Sequence, residues 1–200
     1  RELWHGISRY RYPVLISLLA IPCLDFVALA MIRYHAVSLA DCVMKVIQPS
    51  FLYFTVFAVS ALWISLFSAN SERPSHLLRR RRRRTVYVER IVHTCIVCLF
   101  LVLYNLFWGL FLGSFFSTSF INWGELNSIY YQSLLKLNRD ATLFQVVLKA
   151  ALANWLAFLA IHAMAFLADA LCKNKIAGYI FMIFAAGWNT AGFFLPLITG

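Results

Sequence analysis

Five long apolar runs constrain this chain more than any other feature of its sequence. They cover residues 13–32, 46–69, 91–116, 150–171 and 176–198, with 20 to 26 residues each. A helix needs about 20 apolar residues to cross the roughly 30 Å hydrocarbon core of a bilayer. None of the runs alternates with the period of two that is typical of a membrane barrel strand. The sequence therefore predicts an all-α integral membrane protein, a bundle of about five transmembrane helices.

The composition supports this class and excludes others. The chain is 62% hydrophobic and 13% charged, whereas soluble domains average roughly 45–50% and about 25%. These values exclude a soluble enzyme, a secreted disulfide scaffold and a disordered regulator. No connection between the runs is long enough for a separate folded unit of about 50 residues, so residues 1–200 are predicted to form a single transmembrane domain.

The 18 Lys and Arg residues predict the orientation of the bundle. With five crossings, thirteen of these basic residues lie on the same side of the membrane as the N-terminus, and five lie on the other side. Short loops on the cytoplasmic or equivalent face retain basic residues, so we expect the N-terminus on that face. Because the first residue is Arg1, we also expect a processed or partial polypeptide.

Two segments are predicted to lie on the membrane surface as short amphipathic helices. Residues 1–12 combine aromatic rings with arginines, a pairing typical of the headgroup boundary. Residues 125–140 carry apolar side chains at helical spacing, namely Leu126, Ile129, Tyr130, Leu134 and Leu137. Thr142 and Gln145 have the spacing of a capping box, which predicts that the fourth spanning helix begins there.

Four polar residues lie near the middle of the predicted spans: Asp25, Asn105, His162 and Asn189. An ionised Asp at the centre of a spanning helix costs at least about 2.5–3.5 kcal/mol, so Asp25 needs a partner or a proton. His162 is the expected partner because both side chains lie at similar depth, and such a pair could relay a proton. The simpler alternative is a set of polar contacts that lock the helices together.

Six consecutive arginines form the most distinctive segment, and no aromatic platform for nucleic acid accompanies them. Dense like charges repel and stay extended unless they are neutralised, and each cation near an anionic leaflet contributes roughly 1 kcal/mol. We expect this polybasic loop to bind anionic lipid or an acidic partner protein, and not nucleic acid. Its residues are Arg79, Arg80, Arg81, Arg82, Arg83 and Arg84.

Small residues predict where helices approach closely. Gly109 and Gly113 form a G-x-x-x-G step in the third run, and Ala153, Ala157 and Ala160 recur along the fourth. These faces would pack within the bundle or against another subunit.

Cys95 and Cys98 form a C-x-x-C pair inside the third run. The pair resembles the thiols that the vitamin K epoxide reductase family carries in a spanning helix, which implies quinone-coupled redox chemistry. The resemblance covers four residues, and Cys42 alone stands where that family has a second, loop-borne pair. The histidines and cysteines lack the spacing of metal or haem ligands, so we predict no cofactor.

Three functions follow from these features. The first is a non-catalytic subunit that packs and scaffolds a larger membrane complex, since no complete catalytic set is present. The second is a small ion, proton or solute transporter or channel with its site at the four mid-membrane residues. The third is a thiol oxidoreductase. Free cysteines and the absence of Asn-x-Ser/Thr favour an organellar location, in the mitochondrial inner membrane.

Overall fold

The computed structural model describes residues 10–32, 37–71, 83–134, 137, 139–172, 176–185 and 187. Within these ranges the chain is helical, with no β-strand beyond an isolated bridge between Ser38 and Ser119. The helices, which we number in chain order, are α1 (Arg11–Ile32), α2 (Leu39–Val46), α3 (Pro49–Leu52), α4 (Ala58–Ser71), α5 (Arg83–Phe116), α6 (Ile129–Leu134), α7 (Leu143–Cys172) and α8 (Ile176–Ala185).

Three helices are long and apolar enough to cross a membrane: Arg11–Ile32, Tyr87–Phe116 and Leu143–Cys172. They confirm the predicted runs 13–32, 91–116 and 150–171 as helical. The described count is lower than the predicted five, because the two other runs contain shorter apolar helices, Thr55–Leu66 and Ile176–Ala185. Most of the last run beyond Ala185, including Asn189, lies outside the described residues.

The second run is not one regular helix. The short helix α2 precedes it, Ile47 and Gln48 break the helix, and α3 continues through a π-helical segment, Tyr53–Phe57, into α4. The N-terminus of α2 is closed by a capping box in which Ser38 and Asp41 bond to each other's backbone N–H. Because this box satisfies backbone donors at a helix start, α2 is a separate element whose start the apolar pattern alone did not reveal.

The predicted glycine step on α5 packs against α2. A Cβ on Gly109 would lie 2.5 Å from Cγ2 of Val46, and one on Gly113 would lie 2.8 Å from Cβ of Cys42. The absence of side chains thus lets two helix backbones approach each other. The close packing of this step is satisfied inside the chain, and α2 runs antiparallel to α5.

The other contacts give the remaining directions. On α1, the Leu18 carbonyl accepts a hydrogen bond from Tyr104, and Phe26 packs on Phe116, so α1 is parallel to α5. On α7, Trp155 bonds to Cys95 and Phe166 lies under Arg90, so α7 is antiparallel to α5. We call the end where α4 ends and α5 begins the polybasic end.

The structure describes parts of two segments that are predicted to lie at the membrane surface. Only Ile129–Leu134 of residues 125–140 is described as helical, because Ser128 bonds to the carbonyl of Glu125 and to the N–H of Tyr131 and so begins a new helix there. Likewise Arg83 and Arg84 are the first residues of α5 and do not belong to an extended loop. Arg79 to Arg82 and residues 1–9 lie outside the described residues.

The predicted start of the fourth span is confirmed. The N–H of Thr142 bonds to Oε1 of Gln145 at 3.4 Å, and the N–H of Gln145 bonds to Oγ1 of Thr142 at 3.3 Å. These reciprocal bonds form the capping box that the sequence predicts, and α7 begins at the next residue, Leu143.

Candidate functional site

The predicted mid-membrane residues separate into different environments. Asp25, Asn105 and His162 are each 0–1% exposed, so all three face the interior of the bundle as expected. The expected pair between Asp25 and His162 is not formed: neither carboxylate oxygen of Asp25 has a hydrogen-bond partner in the described structure. His162 instead bonds within α7 and to α4, because it faces a different side of the bundle.

Asn105 supports the helix break. Its Nδ2 donates to the carbonyl of Val46 at 3.4 Å, in the last turn of α2. Carbonyl groups at a helix C-terminus lack partners within their own helix, and none can be left unsatisfied in the interior of a membrane protein. The side-chain amide of Asn105 therefore has a structural role, which is to satisfy the carbonyl of Val46.

His162 has a defined hydrogen-bond arrangement. Its Nδ1 lies 2.8 Å from the carbonyl of Phe158 and its Nε2 lies 3.5 Å from Oγ of Ser60. A carbonyl only accepts, so Nδ1 carries the proton in the neutral ring and Nε2 is the acceptor. The Ser60 hydroxyl also lies 2.7 Å from the Phe57 carbonyl. Nε2 is therefore the atom of this cluster at which a proton can be taken up.

A wide cavity of about 900 Å³ opens at the end opposite the polybasic end. It reaches down to Ile47 and Gln48 at the helix break, where irregular backbone is tolerated because it lines a cavity. Among its polar lining residues are Asp41, Lys45, Gln48, Gln145, Lys149 and Asn154.

Asp41 holds one wall of the wide cavity in place. Its Oδ1 accepts a hydrogen bond of 2.8 Å from the indole N–H of Trp123, and its Oδ2 accepts one of 3.2 Å from the N–H of Ser38. The Trp123 ring stacks on Tyr130, with centroids 4.5 Å apart. With both oxygens bonded, Asp41 anchors the loop after α5 to the start of α2.

A narrow cavity of about 40 Å³ lies toward the polybasic end, between α4, α5, α7 and α8. His162 and Ser65 line it, together with Arg90 and Asp169. On α7, Phe158 lies between the residues that line the two cavities, and it contacts Phe57, the last residue of the π-helical segment before α4. The Phe57 ring lies 5.4 Å from that of Phe158 and 5.0 Å from the imidazole of His162.

Sequence reasoning had identified His162 but not its surroundings. Phe57 and Phe158 are two of 18 phenylalanines, and no sequence pattern distinguishes them from the others. The role of Ser38 and Asp41 could have been identified from the sequence, because a Ser-x-x-Asp step before an apolar run is the pattern of a capping box.

The remaining predicted sites are less enclosed. Ala153 and Ala160 are exposed on α7 and Ala157 is half-buried, so this stripe is not packed inside the described bundle. Cys98 is buried and Cys95 is partly buried, and neither is in a disulfide. Thiol chemistry at this pair stays a prediction.

No group of three or more His, Cys, Asp or Glu side chains with metal-binding geometry occurs in the part of the chain that the structure describes. No protein-family model matches this sequence, and no curated protein or solved structure matches it significantly.

Proposed function

We propose that the chain forms a transport path for a small solute or ion, running between α4 and α7. One observation carries the proposal: the first half of α7 lines the wide cavity, its second half lines the narrow cavity, and the Phe57–Phe158 contact lies between these two stretches of the helix. Transporter sites are typically built near the midplane at broken helices, and the break at Ile47 and Gln48 is at the floor of the wide cavity.

The chemistry of the proposed path follows from its lining. Lysine and amide groups of the wide cavity can exchange hydrogen bonds with a hydrated solute, whereas the two phenyl rings offer none. A polar solute at the rings must lose water, so an aromatic constriction acts as a barrier. The Nε2 atom of His162 directly beyond it would offer the next polar contact. In this proposal His162 belongs to the path, Asn105 supports it, and Asp25 lies apart from both cavities.

Purified protein in liposomes tests the proposal. Stopped-flow light scattering would follow the entry of glycerol, urea, potassium chloride and ammonium chloride in separate runs. Phe158→Ala widens the constriction and is expected to raise entry of at least one of these solutes several-fold over the unmodified protein. Phe144→Ala is the matched control, because Phe144 lies on the same helix and is 73% exposed. If Phe158→Ala vesicles are no more permeable than protein-free vesicles, the path does not exist.

A second candidate function is a packing subunit of a larger membrane assembly. The observation that favours it is the surface of α7, of whose most apolar window only 22% is buried. Ala153, Ala160 and Ala163 are exposed there, and small residues are typical of helix–helix interfaces in membranes. Ala160→Leu would be expected to release bound subunits during purification in mild detergent, while Leu171→Ala on the exposed end of α7 would not.

The placement in the membrane is part of the same proposal. Five crossings follow if the second crossing is completed by α3 and α4 and the fifth by the chain from α8 onward. The polybasic end then faces the side where basic residues accumulate, with Arg79 to Arg84 near anionic headgroups or an acidic partner. We retain an organellar inner membrane as the expected location, and fractionation that recovers the protein at the cell surface would reject it.

A further inference from the structure

One carboxylate ties three helices together at the polybasic end. Oδ2 of Asp169 on α7 lies 3.7 Å from a terminal nitrogen of Arg90 on α5. Oδ1 of the same side chain accepts a 2.9 Å hydrogen bond from the N–H of Gly178 on α8. The Arg90 guanidinium also lies 4.0 Å from the centroid of the Phe166 ring. We call Arg90, Asp169 and Gly178 the latch.

The latch lies where the narrow cavity would have to open. Arg90 and Asp169 line that cavity together with His162 and Ser65. The cavity at the latch holds about 40 Å³, whereas the cavity at the other end holds about 900 Å³. The described residues therefore leave much less space at the latch than at the opposite end.

The ion pair between Arg90 and Asp169 can break and re-form at low energetic cost, as a gate requires. Its two side chains are 22% and 18% exposed, so the charges are partly removed from water, and each needs the other. If the helices separate, water reaches both groups and replaces the ion pair. The open state is then only slightly less stable than the closed state. An equilibrium between two such states is easily shifted by small differences in binding.

We propose that the latch is the gate of the polybasic end, and that α7 and α8 move away from α5 to connect the narrow cavity with solvent. The inference rests on the proposed function, because a gate is needed only if the chain transports a solute or ion. Its geometry is independent of any transported species.

Gly178 offers a way to open the latch without changing a charge. A Cβ at this position would overlap Oδ1 of Asp169 and lie 2.8 Å from the carbonyl oxygen of Ala165. Backbone cannot yield as a flexible side chain can, so Gly178→Ala must displace α8 from α7.

Cysteine accessibility tests the gate. Ser65→Cys would be introduced into the full chain with its five native cysteines replaced, and labelled with a membrane-impermeant methanethiosulfonate added at the polybasic side. Asp169→Asn and Gly178→Ala are each expected to raise the labelling rate several-fold, Asp169→Asn because it removes the ion pair and Gly178→Ala because its methyl group displaces α8. Exchanging the charges, with Arg90→Asp and Asp169→Arg together, restores the ion pair but leaves the Gly178 N–H without its acceptor, so it is expected to slow labelling again only in part. Glu125→Gln, an exposed carboxylate, is the matched control.

The outcomes separate the gate from the proposed function. Unchanged labelling in both Asp169→Asn and Gly178→Ala overturns the gate, whether or not vesicles transport solute. Faster labelling at Ser65→Cys, with no change at a Ser114→Cys reporter at the other end, supports it even if no solute permeates. If Asp169→Asn does not fold, Gly178→Ala and the charge exchange decide the matter.

Discussion

The contact between Gly109 and Val46 sets how closely α2 approaches α5, and its contribution can be worked out from the distances. A Cβ on Gly109 would lie 2.5 Å from Cγ2 and 3.7 Å from Cβ of Val46, whereas carbon atoms in contact are about 3.5–4.0 Å apart. Val46 cannot rotate away at low cost, because a β-branched side chain in a helix has one strongly preferred rotamer. Gly109→Ala therefore forces the helices apart.

The expected magnitudes form a double-mutant cycle. Overpacking costs about 1–3 kcal/mol, and the gain in helix propensity returns about 1 kcal/mol, so Gly109→Ala should lower the free energy of unfolding by about 1 kcal/mol. Val46→Ala removes both γ carbons and leaves a cavity, which also costs about 1 kcal/mol or more. Together the two changes should be less costly than their sum by about 1–2 kcal/mol, because the new methyl group occupies the vacated space.

The free energies would be measured by reversible unfolding in mixed micelles, followed by circular dichroism. Gly187→Ala is the matched control, since a Cβ there meets no atom of the described residues within 4 Å. Additive costs within about 0.5 kcal/mol, or a Gly109→Ala variant as stable as Gly187→Ala, would refute the reasoning.

Three further substitutions test single hydrogen bonds. Asn105→Leu leaves the Val46 carbonyl without its donor and is expected to cost about 1–3 kcal/mol, with faster amide exchange in α2 than in α1. Trp63→Phe removes the 2.8 Å bond to Ser17 and should cost about 1 kcal/mol. Adding Ser17→Ala to that variant should cost less than Ser17→Ala alone. Thr142→Ala removes the cap of α7 and should cost about 1 kcal/mol, whereas Thr142→Ser should be nearly neutral in the same unfolding assay.

Hydropathy predicted the three long helices well because each is a continuous apolar segment. The same averaging hid the break before Pro49, since Asp41 and Lys45 lower the mean hydropathy of α2 and place it outside the second run. The short helix is nevertheless amphipathic and buried on several faces. Its capping residues and the proline that follows were the local signals of a separate helix.

The candidate site was harder to predict from the sequence, because the depth of a residue in the membrane does not show which face of its helix the residue occupies. Asp25 and His162 lie at similar depth in their runs, yet α1 packs mainly on α2 and α5, and the imidazole of His162 on α7 turns toward Ser60 on α4. Arg90 and Asp169 are far apart in the sequence, and only the antiparallel packing of α5 and α7 brings them together. Register between helices is a tertiary property that apolar periodicity does not encode.

The broken helix also changes how buried polar residues are interpreted. A helix that ends inside a membrane protein exposes backbone groups at that end, and these need partners from elsewhere in the fold. Ser38 and Asp41 supply them at the start of α2, and Asn105 supplies one near its end. The Nδ2 group of Asn105 is therefore accounted for by the backbone it serves, whereas the polar contact of His162 Nε2 among the described residues is the hydroxyl of Ser60, which also bonds to the Phe57 carbonyl. A mid-membrane polar side chain is a candidate for transport when it exceeds what the neighbouring backbone requires and also lines a cavity. His162 lines the narrow cavity, whereas Asp25, whose two oxygens have no partner among the described residues, lines neither cavity.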